Sequence, residues 1–407
     1  MQLSVIILNY NVRYFLEQCV LSVQEAIQNL DAEIIVIDNN SSDDSCAMIE
    51  QRFSDVKLIR NHENVGFPKG NNIGVAQAKG EYICILNPDT VVAQDTFSKI
   101  LQFVNSGKVN KNNLGIIGVK LIDGSGKFLP ESKRGIPTPW VAFTKITGLY
   151  KLFSKSEIFG KYYAQHLNEN QTGEVAILVG AFMFMRTDLY RDLGGFDEDC
   201  FMYSDDIDLS YRVLKYDLSN FYFNETAVIH YKGESTTKDE TYMKRFQEGM
   251  NFFYQKHFYV QSKSLGTGSF LFSIFMKAGI VFFSFVKMFQ GKLSRNVGLK
   301  KTAKTYHLFS ENEKLAENIG LVLQKKVIFH DLKREKIVNS FLLKRKGETE
   351  IILDNEFISF KECIAVLESA KNNFQSVGVT FKIIPKNSNF LIGSNNSNDR
   401  GEIIKMK

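Results

Sequence analysis

The sequence predicts an α/β protein whose main sheet is mostly parallel and carries helices on both faces. The chain has 407 residues, of which 44% are hydrophobic and 23% are charged, a balance typical of folded proteins and not of disordered ones. Short apolar runs alternate with helical stretches over about the first hundred residues. The length favours two domains, or one large domain with appendages.

The predicted strands and helices alternate from the start of the chain. Strands are expected at Leu3–Leu8, Glu33–Ile37, Val56–Ile59 and Tyr82–Leu86, and helices at Tyr14–Leu30, in the stretch ending at Phe53, and at Pro68–Ala78. Continuous apolar strands separated by helices are typical of parallel sheets, which bind ligands beyond the carboxyl ends of their strands. Polar clusters follow at these ends: Asn9–Asn11, Asp38–Asp44, Asn61–Gly74 and Asn87–Thr90.

The rest of the chain is less regular. A further strand is predicted at Gly115–Leu121 and a helix at Asp205–Tyr216, and the stretch between them at Val175–Met185 is again apolar. A small C-terminal α/β domain is predicted from strands at Val327–His330, Glu350–Leu353 and Val379–Ile384 and a helix at Lys361–Asn372. We therefore predict a main domain (1–260), an apolar and basic segment (261–310) and a small domain of unassigned role (320–407). The turn-rich stretch Gly393–Gly401 near its end is interpreted as a frayed tail, with an anion-binding loop as the alternative.

Cysteine usage and charge narrow the class of protein. The five cysteines are scattered and odd in number, which excludes a disulfide scaffold or a zinc ribbon and suits a reducing cytosol. The net charge is +5, but residues 261–350 hold 17 Lys and Arg against 7 Asp and Glu, so this segment carries +10 and the remainder −5. The positive charge of the chain is therefore concentrated in one segment, and its role has to be sought in that segment.

The basic segment contains an apolar stretch at Phe270–Phe289, and a basic run follows it directly at Lys292, Arg295, Lys300, Lys301 and Lys304. Lys277 and Lys287 fall on one helical stripe of this stretch, which favours a helix lying in the membrane interface over one that spans the bilayer. The alternative is a helix packed on the main domain. The chain begins with a buried strand rather than a secretory signal, so we expect a cytoplasmic protein associated with the inner face of the cell membrane. The basic run lacks interleaved aromatic residues, which disfavours nucleic acid as a partner.

The loop after the first strand argues against three nucleotide-binding classes. Dinucleotide-binding Rossmann domains and P-loop proteins need glycines there, because the backbone must approach the phosphates. A sugar nucleotidyltransferase would likewise want a glycine-rich, basic loop. The loop at Asn9–Arg13 contains no glycine.

Carboxylates at strand ends are the remaining candidates for chemistry. Asp38 and Asp89 each close a strand, and each has an alternative interpretation as a turn or helix-cap residue. The segment Asp205–Asp208 places three acids within four residues, where they repel one another unless a metal, a base or a helix N-terminus uses them. His230 follows an apolar run, and a lone histidine is more often structural than a ligand.

These residues, in this order, resemble glycosyltransferase family 2, the inverting enzymes of GT-A fold, and in particular its bacterial rhamnosyltransferase-like branch. The similarity runs from Val5 to about His257. Its motifs are Val5–Asn11, Val36–Asp43, Asn64–Gly74, Leu86–Asp89, Gly180–Met183, Gly194–Asp197, the acidic segment from Asp205, and the segment from His230 to Ser235. A basic, aromatic stretch with Arg134, Pro137, Pro139 and Trp140 resembles the acceptor-side insertion of that branch, with a plain surface loop as the alternative.

The resemblance implies roles for the matched residues. Asp38 would bind the base and ribose of a donor nucleotide, with Asn9, Asn64 and Gly66 lining the pocket and Gly70 and Asn71 shaping a turn beside it. Gly180 would let the backbone approach a substrate, or would only allow close strand packing. Arg212 would add charge near the phosphates, although an arginine inside a helix is more often a surface residue.

The resemblance also implies a metal site and a catalytic base. Asp89 stands where the family's D-x-D motif ends, and Asn87 replaces its first acid, so Asp89 and His230 would hold Mg²⁺ or Mn²⁺ together. The family usually has Glu-Asp where this chain has Asp205-Asp206. We assign the general base to Asp206 and a supporting role to Asp205.

The predicted function is metal-dependent, inverting transfer of a sugar from a UDP- or dTDP-sugar to a lipid-linked or growing cell-surface polysaccharide. Two alternatives remain open at this point. One is a non-catalytic nucleotide-sugar-binding scaffold of a glycan assembly complex. The other is a sugar nucleotidyltransferase.

Overall fold

A computed structural model describes residues 1–138, 141, 163–200, 202–232, 240–259, 304–334, 348–373, 378–395 and 401–406. Trp140, Ser235 and the predicted interfacial helix at 270–289 lie outside these ranges. Within the described residues, every helix is too short or too polar to cross a bilayer.

The first sheet contains nine described strands and confirms the predicted α/β class. Its strands are β1 (Leu3–Asn9), β2 (Ala32–Asp38), β3 (Lys57–Arg60), β4 (Tyr82–Leu86), β5 (Thr90–Val91), β6 (Leu114–Ile122), β7 (Gly173–Val175), β8 (Phe182–Arg186) and β9 (Ser219–His230). They are ordered β3-β2-β1-β4-β8-β6-β9-β5, and β7 also pairs with β9. Strands β3, β2, β1 and β4 run parallel, while β8 is antiparallel to both β4 and β6.

Helices cover both faces of this sheet. They are α1 (Arg13–Ile27), α2 (Ser45–Arg52), α3 (Phe67–Ala76), α4 (Thr96–Asn105), α5 (Thr187–Asp192), α6 (Asp205–Lys215) and α7 (Glu240–Tyr254), followed by a π-helical turn at Gln255–Tyr259. Strand β1 shows why the sequence pattern was continuous rather than alternating. Val5 and Ile7 enter one hydrophobic core and Ile6 and Leu8 the other, so both faces of the strand are buried.

The register brings the polar strand ends to one edge. Strands β1 and β2 align Asn9 with Asp38, and the antiparallel pairing of β5 with β9 aligns Thr90 with His230. Residues that are distant in the chain therefore become neighbours at the carboxyl end of the parallel strands.

The apolar stretch at Val175–Met185 is not one continuous strand. It divides into β7 and β8, with an irregular stretch between them. In that stretch the backbone N–H groups of Leu178 and Gly180 donate to side chains of α6, Ser210 and Asp206, and not to a neighbouring strand. Helix α6 thus takes the hydrogen bonds that a continuous ladder would have used.

A second, six-stranded sheet forms the C-terminal domain. Its elements are β10 (Thr305–Ser310), α8 (Glu313–Leu323), β11 (Val327–Asp331), β12 (Thr349–Asp354), α9 (Phe360–Asn373), β13 (Val379–Ile384), β14 (Phe390–Gly393) and β15 (Glu402–Lys405). Its order is β11-β10-β12-β13-β14-β15. The pattern had missed β10, α8, β14 and β15. Part of the turn-rich stretch Gly393–Gly401 lies outside the described residues, and Glu402–Lys405 beyond it pairs with β14.

The C-terminal domain packs directly on the first sheet. One hydrophobic core joins Phe15 and Ile229 of the main domain to Phe360 and Phe390 of the small one. At Gly126, a Cβ atom would lie 1.9 Å from the carbonyl oxygen of Leu367, so the two backbones touch where only glycine fits.

Candidate active site

The predicted nucleotide pocket is built on the ends of β1 and β2. The Asn9 Nδ2 group donates to Asp38 Oδ1 over 2.7 Å and to Ser41 Oγ over 3.1 Å. The backbone N–H of Ser41 donates to Asp38 Oδ2 over 2.8 Å. Asn9 and Asp38 are both buried. The Asp38 carboxylate is therefore oriented by the protein before any ligand arrives.

An asparagine network extends this pocket toward α3. Asn39 donates from Nδ2 to Asn64 Oδ1 over 3.1 Å and to the Gly66 carbonyl over 3.2 Å, and the Gly66 N–H returns a bond to Asn64 Oδ1 over 3.1 Å. Gly66 has a φ of 85°, which favours glycine. Asn39 lies in the motif Val36–Asp43, but the sequence predicted no role for it, because its contacts are made to a loop that is distant in the sequence.

Gly70 and Asn71 lie inside α3 and not in a turn, so that part of the prediction is corrected: the turn is made at Gly66. A Cβ atom on Gly70 would sit 2.5 Å from Leu8 Cδ1, so this glycine lets α3 approach β1. The Asn71 Nδ2 group donates to the Phe67 carbonyl over 2.9 Å.

The predicted metal ligands are brought together across β5 and β9. The His230 Nε2 and Asp89 Oδ1 atoms are 3.3 Å apart, and Asn87 Nδ2 is 3.5 Å from the same ring nitrogen. Two ligand atoms that bind one Mg²⁺ at about 2.1 Å, at right angles, stand about 3 Å apart. Asp89 and His230 therefore fit a shared cation. Among the described residues, no group of three or more His, Cys, Asp or Glu side chains could hold a metal, so any further ligand would be another oxygen, from a side chain, the backbone, water or the substrate.

The predicted catalytic acids begin helix α6. Arg134 Nη2 donates to Asp206 Oδ2 over 2.6 Å, and the Gly180 N–H donates to the same oxygen over 3.0 Å. Gly180 also faces Phe67, whose Cζ would be 3.6 Å from an added Cβ atom, and the next residue, Ala181, accepts the N–H of Asn87 over 3.0 Å. The Gly180–Ala181 pair thus links Asp206, the start of α3 and the strand end at Asn87.

Asp205 lies beside Asp206 in a different environment. Burial, followed by the negative charge of Asp206, raises the pKa of the Asp205 carboxyl to about 7, against the opposing effect of nearby backbone N–H groups. A carboxyl group with such a pKa exchanges its proton near neutral pH, as acid–base groups in active sites do.

Asp208, the third acid, lies in a cluster of ion pairs and hydrogen bonds that links parts of the fold. Its carboxylate is fully buried and contacts Arg212 Nε at 2.7 Å, Lys256 Nζ at 2.9 Å and His257 Nε2 at 2.6 Å. Burial alone would raise its pKa, but the His257 hydrogen bond and the charges of Arg212 and Lys256 lower it to about 2. Asp208 therefore joins α6 to the π-helical turn, which goes beyond the helix-entry role considered from the sequence.

Arg212 belongs to this structural cluster as well. Besides Asp208, its guanidinium binds the carbonyls of Leu193 and Gly195, the latter over 2.7 Å. The described contacts place Arg212 behind the Gly194–Gly195 turn, and its assignment to the donor phosphates stays a prediction. From the sequence, Arg134 was placed only in the acceptor-side stretch, and no role was assigned to Lys256 or His257. A local sequence pattern does not show which cation will reach a distant helix.

Comparison with known proteins decides the family. Residues 4–194 match the family model described as Glycosyl transferase family 2. The chain therefore carries a glycosyltransferase family 2 domain at residues 4–194. It is a glycosyltransferase of the rhamnosyltransferase-like branch, as the resemblance implied, and this favours an enzyme over the scaffold and nucleotidyltransferase alternatives.

Relatives from several bacteria show the same similarity. An N-acetylglucosaminyl-diphospho-decaprenol L-rhamnosyltransferase from Mycobacterium tuberculosis is 24% identical over 248 residues, which cover 58% of this chain and 78% of the relative. A GalNAc(5)-diNAcBac-PP-undecaprenol beta-1,3-glucosyltransferase from Campylobacter jejuni is 29% identical over 182 residues, 42% of this chain and 57% of the relative. Among solved structures, the mannosyltransferase PcManGT from Pyrobaculum calidifontis in complex with GDP-Man and Mn²⁺ aligns with a TM-score of 0.44 and 14% identity, over 92% of this chain and 88% of that one.

Proposed function

We propose that this glycosyltransferase moves a sugar from a UDP- or dTDP-sugar to a lipid-linked or growing cell-surface glycan, with inversion at the sugar carbon. The observation that carries this proposal is the position of Asp206, held at Oδ2 by Arg134 and by the Gly180 N–H beside the strand ends. The names of the relatives support the acceptor class, since both refer to sugars on a polyprenol diphosphate.

Asp206 would act as the general base. As the acceptor oxygen attacks the anomeric carbon of the donor, its proton passes to the Asp206 carboxylate. The bond from that carbon to the diphosphate oxygen breaks, and its electron pair leaves with the nucleoside diphosphate. One displacement of this kind inverts the configuration at the carbon. Asp205, whose pKa is raised to about 7, would support the pair by sharing the proton near neutral pH.

Asp89 and His230 would hold the divalent cation, Mg²⁺ or Mn²⁺. Their 3.3 Å separation suits two ligands of one ion, and oxygen with imidazole suits either metal. When bound, such an ion supplies positive charge to the leaving diphosphate. Asn87 lies 3.5 Å from His230 and would help to orient the ring.

The pocket around Asp38 would bind the donor nucleotide. Its carboxylate is already oriented by Asn9 and by the Ser41 N–H, so little freedom has to be lost on binding. Asn64 and Gly66 close the opposite side through the asparagine network. The close backbone approach at Gly180 would serve the sugar or the acceptor.

The enzyme would work on the cytoplasmic face of the membrane, where a polyprenol-linked acceptor is accessible. The support is the +10 charge of residues 261–350 beside the apolar stretch at 270–289. Flotation with liposomes tests this. We expect stronger binding to anionic than to neutral liposomes, and weaker binding at high salt. Equal binding to both kinds of liposome, or binding that is insensitive to salt, would contradict the proposal.

A panel of nucleotide sugars, assayed by nucleoside diphosphate release with and without Mn²⁺, tests the whole proposal. We expect release with one class of donor, its loss on chelation, and a fall of at least about 100-fold in Asp206→Asn. Donor binding by Asp206→Asn should stay close to wild type, because Asp206 serves the acceptor proton. Wild-type turnover in that variant would exclude Asp206 as the base.

A further inference from the structure

Arg134 lies in an extended segment that is fixed on both sides. Its backbone pairs with Ile177 in both directions, with two N–H···O distances of 2.9 Å. The preceding residue, Lys133, is buried and points its amine at three backbone carbonyls, those of Tyr163, Ala164 and Leu167. The Arg134 backbone is therefore held independently of its side chain.

The Arg134 guanidinium reaches from this segment to helix α6. Its Nη2 atom donates to the Leu178 carbonyl over 3.1 Å and to Asp206 Oδ2 over 2.6 Å. The side chains of Arg134 and Asp206 are only 16% and 12% exposed, so water competes little for the pair. A distance of 2.6 Å is typical of a strong, charge-assisted hydrogen bond.

Both hydrogen bonds to Asp206 end on the same oxygen. Arg134 and the Gly180 N–H both donate to Oδ2, which restricts rotation of the carboxylate. The other oxygen, Oδ1, is then the one oriented to receive a proton. A guanidinium suits this task because it is planar and stays charged at every relevant pH.

We propose that Arg134 is a positioning residue for the base, holding Asp206 Oδ2 so that Oδ1 accepts the acceptor proton. This rests on the proposed function, in which Asp206 is that base. A purely structural ion pair between the segment and α6 would stabilise the protein in the same way, but it would leave the turnover of folded enzyme unchanged. Kinetics therefore separates the two roles.

The test uses Arg134→Ala and Arg134→Lys in the full chain, with Arg191→Ala as the matched control. Arg191 also sends a guanidinium N–H to a backbone carbonyl, that of Ala78, over 3.1 Å. With the donor that the wild type uses best, we expect kcat of Arg134→Ala to fall about 100-fold, because small displacements of a catalytic group have effects of that size. The donor KM should stay within about twofold, since the interaction serves the reacting proton.

Chemical rescue gives a second readout. Millimolar guanidinium ion should restore kcat of Arg134→Ala at least about tenfold and leave Arg191→Ala and Asp206→Asn unchanged, because only the first variant lacks a guanidinium at the base. Arg134→Lys should lie between wild type and Arg134→Ala, and it decides the question if the alanine variant does not fold. Wild-type kcat in a folded Arg134 variant, a loss confined to KM, or an absence of rescue would each overturn the proposal.

Failure of the proposed function would look different. If the wild type releases no nucleoside diphosphate from any donor, the function is wrong. A double-mutant cycle in urea with Arg134→Ala and Asp206→Asn then tests the contact on which the inference depends. Additive effects overturn the inference, and coupled effects support the pairing of the two side chains.

Discussion

Replacing Asp205 by asparagine should stabilise the folded protein, and the gain should grow as the pH rises. The Asp205 carboxyl is buried next to Asp206, and these two influences raise its pKa from 3.8 to about 7. The unfolded chain loses this proton near pH 4, whereas the folded protein keeps it until about pH 7. Stability of the wild type is therefore lost as the pH rises through that window, and an asparagine is not subject to this loss.

The magnitude follows from the size of the shift. About three pKa units, at about 1.4 kcal/mol for each unit, correspond to at most about 4 kcal/mol above pH 7. Between about pH 5 and about pH 8 the advantage of Asp205→Asn over wild type should increase by about 2–3 kcal/mol. The asparagine keeps an oxygen that can accept the backbone N–H groups at the start of α6, so few hydrogen bonds are lost.

Urea unfolding of both proteins at several pH values measures this difference. Asp55→Asn is the control, because it makes the same substitution at an exposed aspartate. Activity should fall in Asp205→Asn even though stability rises, because groups that serve activity often destabilise the folded protein. A stability difference that is constant with pH would refute the reasoning about burial and Asp206.

Two further predictions concern the metal site and the third acid. Asp89→Ala should abolish the rise in melting temperature that UDP or dTDP gives together with Mn²⁺, and an unchanged thermal shift would rule out Asp89 as a ligand. Asp208→Asn should lower the free energy of unfolding by about 3 kcal/mol at neutral pH, because it removes a buried carboxylate from the partly buried cations Arg212 and Lys256. The Asp208 pKa is lowered to about 2, so its contribution is present above about pH 4 and is lost as the pH falls through about 2. Urea unfolding shows this, and a cost below about 1 kcal/mol would contradict the role of the cluster.

Local patterns in the sequence were enough for the frame of the main domain. The strands at β1, β2 and β4 were predicted within about one residue at each end, because continuous apolar runs report burial on both faces. The polar strand ends carried the candidate residues for the same reason: parallel strands place their carboxyl ends at one edge. Local patterns could not show where tertiary contacts interrupt an apolar stretch, as between β7 and β8, where α6 accepts the backbone N–H groups.

The chemistry of the acidic segment was visible in the sequence only as a cluster of like charges. Their separate environments depend on partners that the fold brings from elsewhere in the chain: Arg134 beside Asp206, and Lys256 and His257 around Asp208. Residue type and order thus sufficed for the family, the fold class and the candidate carboxylates. The tertiary structure decided which carboxylate is bound by Arg134, which keeps its proton to about pH 7 and which lies in an ion cluster, because burial and opposing charge are properties of the folded neighbourhood.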